Sequence, residues 1–356
     1  MHLIVLPGDG IGPEICDATL TVLALLNDRL RLGLTFESHG IGLATLASNG
    51  TTFPRAARDA AMAADGIILG PISHNDYPPT ADGGVNVSGD LRLSLDLYAN
   101  IRPARSREGV TFWGRTPMDL VIVRENTEGF YADRSMHMGP GEFMPTPDMA
   151  LAVRKITAQA CARIARSAFE LAMERNRHVT AVHKANVLRV SDGLFLRETR
   201  AMAARFPGVT YDEQLVDSMT AMLVRDAARF DVIVTTNMYG DILSDEAAEL
   251  SGSLGLAGSI NAGESHCMAQ AQHGSAPDIA GRDTANPASL ILSAGLLLGW
   301  LGRMRGRPDL TAAGALIEPA IDALIADPAT HTADLGGPLG TAGFTSALCA
   351  GIAARM

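Results

Sequence analysis

The sequence predicts an α/β architecture built on a largely parallel sheet. Short apolar runs of strand length recur along the chain, and longer stretches of helical apolar spacing separate most of them. At 356 residues the chain exceeds what one hydrophobic core usually supports, which predicts two domains.

The first apolar run, residues 3–6, stops at Pro7 and the glycine turn Gly8-Asp9-Gly10-Ile11-Gly12. A strand, a turn and a helix opening near Pro13 fit it, because proline is favoured in a first helical turn. Residues 15–26 then carry helical apolar spacing. Further strand-like runs are residues 66–69, 120–123, 179–182 and 232–235. The spacing predicts helices over 149–175, 191–206 and 285–303, the last of them apolar enough to be buried but too short to cross a bilayer. Residues 133–148 are rich in Met, Gly and Pro and lack a helical period, so they read as a loop or an extended arm.

Composition narrows the function. Apolar residues at 47% and charged residues at 19% describe a globular protein, and a net charge of −10 argues against nucleic acid or an anionic membrane as partner. It leaves room for a small acidic substrate, which needs only a local cluster of arginines. The four cysteines, Cys16, Cys161, Cys267 and Cys349, lie far apart without a CxxC pair, as reduced thiols of a cytoplasmic protein do. The N-terminus has no basic region and too short an apolar run for a signal peptide.

Four constellations carry chemistry. Asp241 and Asp245 stand four apart on one helical face, where both can reach a hard divalent cation; a helix cap plus a solvated aspartate explains the same pair. Arg92, Arg102 and Arg124 lie near strand ends and could together bind a multiply charged acid, although any one alone reads as a surface ion pair. Lys184 follows a strand, and in a pocket beside a metal it could serve as a base; Tyr131 could donate a proton or be buried for structural reasons. In the fourth, residues 273–281 with Asn286, small residues allow close approach of a ligand and Asp278 could accept both hydroxyls of a nucleotide ribose. The opening glycines do not make a Rossmann fingerprint: the third glycine is missing and no acidic residue ends a clear second strand.

These segments together resemble the isocitrate/3-isopropylmalate dehydrogenase family of β-decarboxylating dehydrogenases, along essentially the whole chain. The matching stretches are residues 8–14, 96–103, 121–131, 183–188, 216–217, 230–245 and 273–287, with wording nearest to homoisocitrate and NAD-isocitrate dehydrogenases. The resemblance implies a two-domain, non-Rossmann fold of the isopropylmalate dehydrogenase kind. Residues 1–98 plus 255–356 would form the cofactor domain, and 99–254 the substrate and dimerisation domain, with an arm near 130–150 that embraces a partner. It implies Mg²⁺ or Mn²⁺ held by Asp217, Asp241 and Asp245, and substrate carboxylates held by Arg92, Arg102 and Arg124. Lys184 would be the base and Tyr131 the acid. Both Lys184 and Asp217 would come from the other subunit of a homodimer, itself free to pair into a tetramer. NAD would lie against His273, Gly274, Ser275, Ala276, Asp278, Ile279 and Asn286, with Asn186 near the nicotinamide.

The chain departs from the family's pattern twice. Before Arg92 it offers Asn86 and Ser88, with Gly89 and Asp90 following. Such a polar wall disfavours an isopropyl tail and favours a polar or carboxylated one, provided Asp90 faces elsewhere. Before His273, Gln270 stands where relatives commonly carry a glutamate near the cofactor, which bears on the fine geometry of the cofactor and not on the reaction, so the substrate is read from the wall before Arg92. An isocitrate- or homoisocitrate-like substrate is therefore expected, with 3-isopropylmalate and tartrate or malate as alternatives. A non-catalytic regulatory subunit is the alternative of another class; such copies usually lose a metal carboxylate, the lysine or the tyrosine, and this chain keeps them all.

Overall fold

A computed structural model describes residues 1–131 and 136–356. Ten strands form one sheet in the order β2-β1-β3-β12-β11-β4-β5-β10-β8-β9. They are β1 (His2–Leu6), β2 (Thr35–Ser38), β3 (Gly66–Leu69), β4 (Ala99–Arg105), β5 (Asp119–Glu125), β8 (His178–His183), β9 (Thr210–Leu215), β10 (Val232–Thr235), β11 (Ile260–Ala262) and β12 (Cys267–Gln270). Pairing is parallel except at the centre, where β4 runs antiparallel to β5 and β11, and β11 to β12. The parallel strands read as continuous apolar runs because helices cover both faces, as in residues 232–235, all buried.

The helices are α1 (Gly12–Leu30), α2 (Leu43–Asn49), α3 (Arg55–Ala63), α4 (Val87–Ser94), α5 (Ala158–Met173), α6 (Ser191–Ala203), α7 (Val216–Asp226), α8 (Asn237–Ser251), α9 (Ala288–Arg305), α10 (Pro308–Ala315), α11 (Ile317–Ile325) and α12 (Thr341–Ala353). Proline sits in the first turn of α1, as expected. α9 is buried almost throughout and ends on left-handed Gly306.

The predicted helix over 149–175 is corrected at its start. Residues 149–152 form β7 (Met149–Ala152), an exposed strand paired with β6 (Glu142–Thr146). The helix begins only after Thr157, whose hydroxyl accepts from the Ala160 N–H at 3.2 Å. A capping residue outweighed the apolar spacing around it. The exposed β6–β7 hairpin falls within the expected arm; residues 132–135 of that arm lie outside the described residues.

Buried apolar side chains gather in four clusters. Two draw their members from residues up to 97 and from 256 onward; the other two draw theirs from residues 98–247. The glycine turn serves close crossing of chain segments. A Cβ at Gly10 would stand 1.9 Å from the Ser275 carbonyl oxygen, and the Ile11 N–H donates to that oxygen at 2.8 Å.

Candidate active site

A cavity of about 310 Å³ lies where β4 and β5 meet α4, α8 and the end of β12; Asn86, Ser88, Arg92, Arg102, Arg124, Tyr131, Asp241, Gln270, His273 and Gly274 line it. Arg102 and Arg124 come from the adjacent antiparallel strands β4 and β5 and are only 8% and 3% exposed. Guanidinium groups so deeply placed need fixed partners. Arg124 bonds to Asp241 through Nη1, and its Nε and Nη2 donate to Asn237 Oδ1 at 2.9 and 2.7 Å. Arg102 Nη1 donates to Ser244 Oγ at 2.7 Å and to Asp245 Oδ1 at 3.0 Å, and stands 3.5 Å from Asp241 Oδ1. Burial, with Arg102 alongside, pushes the Arg124 guanidinium down to about 10 against the pull of Asp241.

Asp241 sits one turn inside α8, whose N-cap is Thr236, so the helix-cap explanation of this aspartate does not apply. Gly240 brings α8 against β5: a Cβ there would meet Arg124 Cβ at 2.6 Å. The close approach sets Asp241 on Arg124 and lets the Tyr131 hydroxyl donate to Asp241 Oδ2 at 3.2 Å. One nitrogen of Arg102 touches both Asp241 and Asp245, so the two carboxylates converge on one cationic point beside the cavity. That donor set fits a hard divalent cation whose remaining ligands are oxygens of water or substrate. Asn237 and Ser244, which hold the arginines, went unmarked in the sequence because neither residue type there signals chemistry by itself.

Asp217 and Lys184 lie elsewhere in the chain. Lys184 Nζ bonds Asp217 Oδ1 at 2.6 Å, neither lines the cavity, and no group of three metal-ligating side chains forms among the described residues. The ammonium bonded to it holds the Asp217 carboxyl below its ordinary range. Asp192, fully buried and paired with Arg154, accepts the Lys184 backbone N–H at 2.5 Å. Asn186 is exposed beside them, and so are Val187 and Val190, two apolar residues at 66% and 88%.

The expected cofactor segment borders the cavity. Gly274 is exposed with open space where a Cβ would lie, Ala276 adopts a left-handed conformation, and Asp278 is exposed in the short turn Pro277–Ile279. The His273 Nε2 is buried without a hydrogen-bond partner among the described residues, an orphaned polar atom at the edge of the cavity. Burial holds that imidazole below its usual range. Ser275 Oγ bonds Ser73 Oγ at 2.7 Å, and Ile279 packs partly against the core. Asn286 is buried, its amide engaged with Asp334 and the Ala288 N–H, so among these residues its side chain is already committed within the protein. An exposed acid, open backbone and an unsatisfied imidazole nitrogen fit a nucleotide with a free ribose diol.

On the opposite wall, Asn86 caps α4 by accepting from the Gly89 N–H at 2.9 Å. Ser88 Oγ and Arg92 Nη2 both donate to Gln270 Oε1, at 3.0 and 3.2 Å. Asp90 is paired with Arg58 at 2.8 Å and does not line the cavity.

Known proteins resemble the chain along nearly its whole length. The family model described as isocitrate/isopropylmalate dehydrogenase matches residues 2–348. The 3-isopropylmalate dehydrogenase of Saccharolobus solfataricus is 39% identical, over 94% of this chain and 95% of that protein. The isocitrate/homoisocitrate dehydrogenase of Thermus thermophilus is also 39% identical, over 98% and 97%. Among solved structures, isocitrate dehydrogenase from Methylococcus capsulatus superposes with a TM-score of 0.86 at 36% identity, covering 99% of both chains.

Proposed function

The chain belongs to the isocitrate/isopropylmalate dehydrogenase family of oxidatively decarboxylating dehydrogenases, and on that footing we propose that it oxidises the C2 hydroxyl of a 3-carboxy-2-hydroxy acid and releases the 3-carboxylate as carbon dioxide. The observation that carries this is the convergence of two buried arginines, a tyrosine and Asp241 on one cavity, with Asp245 beside it on Arg102.

Arg92, Arg102 and Arg124 would grip the substrate carboxylates by paired N–H donors. Asp241 and Asp245, with Asp217 of a second copy, would hold Mg²⁺ or Mn²⁺; the 273–279 segment would hold NAD⁺, with Asn286, held by its own contacts, beside the adenine and Asn186 of the second copy, next to Lys184, near the nicotinamide. When bound, the cation supplies Lewis acidity at C2 and stabilises the charge left by decarboxylation, and NAD⁺ supplies the hydride acceptor. Lys184, also from the second copy, would take the hydroxyl proton as C2 is oxidised. Tyr131 would return a proton to the carbon vacated by carbon dioxide. Lys184 and Asp217 form one exposed pair flanked by apolar residues, which supports their delivery as a unit into a partner's cavity. We propose a homodimer, with the exposed β6–β7 hairpin as its arm, alone or paired as a tetramer. The four core clusters support residues 1–98 plus 255–356 as one domain and 99–254 as the other. The four free thiols suit a cytoplasmic setting.

Relatives of equal identity carry the names of both substrates, so the choice rests on the cavity wall. Asn86, Ser88, Arg92 and Gln270 present polar groups, which supports an isocitrate- or homoisocitrate-like acid. The 3-isopropylmalate reading is favoured by the names of several relatives. The test is kcat/KM for isocitrate, homoisocitrate, 3-isopropylmalate, tartrate and malate with Mg²⁺ and NAD⁺. We expect a tricarboxylic acid first and activity lost on chelation. First rank for 3-isopropylmalate would refute the reading of the wall, and complete inactivity of the purified chain would favour a regulatory subunit.

A further inference from the structure

Arg154 lies between β7 and α5, and its side chain is only 8% exposed. Nη1 bonds the fully buried Asp192 and donates to Ser191 Oγ at 3.1 Å, both in the first turn of α6. Nη2 donates to Thr236 Oγ1 at 2.9 Å. The guanidinium also lies over the rings of Phe130, at 5.7 Å, and Tyr239, at 5.1 Å. Thr236 is the N-cap of α8 but caps no N–H with its side chain; its hydroxyl serves Arg154 instead.

The other oxygen of Asp192 faces a different part of the chain. Oδ2 accepts the backbone N–H of Lys184 at 2.5 Å. The Leu188 N–H donates to the Lys184 carbonyl at 2.9 Å and the Asp192 N–H to the Leu188 carbonyl at 3.0 Å, which closes the turn from Lys184 into α6. A carboxylate shared between a guanidinium and an amide fixes both. Lys184 therefore projects from a main chain tied, through Asp192 and Arg154, to the start of α8. Neither member of the pair lines the cavity. A buried ion pair is weak evidence for stability, since well-packed apolar residues of like volume often do as well. We propose that Arg154 and Asp192 are positioning residues that set where Lys184 stands when it enters the cavity of a second copy. This rests on the shared-site dimer proposed above. A base must come within hydrogen-bond reach of its proton, and a misplacement of about 1 Å can cost on the order of a hundredfold in rate. The pair thus acts on the partner's site, although Phe130, Thr236 and Tyr239 border its own.

Mixed dimers of differently tagged, co-expressed copies test this. They are assayed for kcat and KM with Mg²⁺, NAD⁺ and the acid that ranks first in the panel. Asp192→Asn leaves one acceptor oxygen for two donors, so Lys184 N–H or Arg154 loses its partner. Dimers of this variant should lose roughly tenfold to a hundredfold in kcat, with KM within about threefold of wild type. Mixed with Asp241→Asn, an Asp192→Asn copy supplies Asp241 to one site whose Lys184 comes from the copy with Asp192 intact. That dimer should work at about half the wild-type rate. Mixed with Lys184→Ala, the Asp192→Asn copy supplies the lysine of the one complete site, and the loss should persist. The reverse pattern would assign the pair to α8 of its own site and overturn the proposal. Equal loss in the two mixed dimers, the mark of a structural defect, would overturn it too, as would unchanged kcat. Arg154→Lys keeps the charge beside Asp192 but not the planar fork. It should give the same pattern at a smaller loss, and it carries the test if Asp192→Asn does not fold. The control is Lys184→Ala mixed with Asp241→Asn, with the pair intact in both copies. Inactivity of that dimer removes the shared site, and this inference with it, whatever the Asp192 variants do.

Discussion

Arg102 and Arg124 are nearly inaccessible, and each is matched to a carboxylate that the proposed chemistry needs elsewhere. The pairing has a physical logic. Two buried cations would be costly unpaired, so the aspartates neutralise them; substrate carboxylates that take over the arginines would free Asp241 and Asp245 for a cation. Two histidines set a different dependence. Burial holds His183 and His273 below 6.5, and the His183 ring nitrogen Nδ1 accepts from the Ala185 N–H at 3.0 Å. Between 6.5 and their lowered folded values the unfolded chain binds more protons than the folded one, so stability falls as pH drops through that window. Scanning calorimetry from pH 7 down to pH 5 should show Tm falling, with a shallower fall in His183→Asn.

At the level of elements, α8 is the piece on which the site turns. Its two aspartates share a face through i,i+4 spacing, but the spacing cannot say how close that face comes to the sheet. Gly240 decides that, through its contact with Arg124. Gly240→Ala would force α8 away from β5, because the new methyl meets Arg124 Cα and Cβ rather than the pliable end of a side chain. We expect about 1–3 kcal/mol lost by chemical denaturation, as for an overpacked core. kcat/KM should fall by roughly a hundredfold, because Asp241 moves relative to Arg124 and Tyr131. Unchanged kcat/KM at lowered stability would show that this approach does not position the aspartates. The start of α5 carries the opposite lesson. Apolar spacing ran through 149–157, and the Thr157 cap together with the β6–β7 pairing stopped the helix from forming there.

For the whole molecule, the arrangement of Lys184 and Asp217 outside their own chain's cavity is the decisive feature. If a second copy completes each site, Lys184→Ala and Asp241→Asn are defects of opposite halves. Lys184→Ala alone should lose about a hundredfold to ten-thousandfold in kcat, the usual worth of a general base, and Asp241→Asn alone should lose activity by weakening the cation it would hold. Unfolded together and refolded at equal amounts, they should recover about a quarter of wild-type activity, because half the dimers are hybrids with one intact site of two. No recovery, with hybrids demonstrated by mass, would place Lys184 and Asp241 in the same protomer's site.

Local chemistry was legible in the chain itself. Apolar runs of strand length, Pro13 in a first turn, and the long motifs around Arg102, Arg124, Lys184, Asp241 and His273 specified the α/β fold class and the family, because such patterns depend on neighbours in sequence. The sequence also separated the opening glycines from a Rossmann fingerprint; in the fold Gly10 admits the Ser275 backbone, and Gly8 and Gly12 admit those of Pro71 and Pro7. Only the tertiary structure decided that Asp90 turns to Arg58 and that Gln270 gathers Ser88, Arg92 and Asn261. It alone set Asp241 on Arg124 and paired Lys184 with Asp217. All but one of those contacts join residues 32 to 182 positions apart. Their geometry is fixed by how closely helix and sheet pack, a quantity that no spacing along the chain encodes.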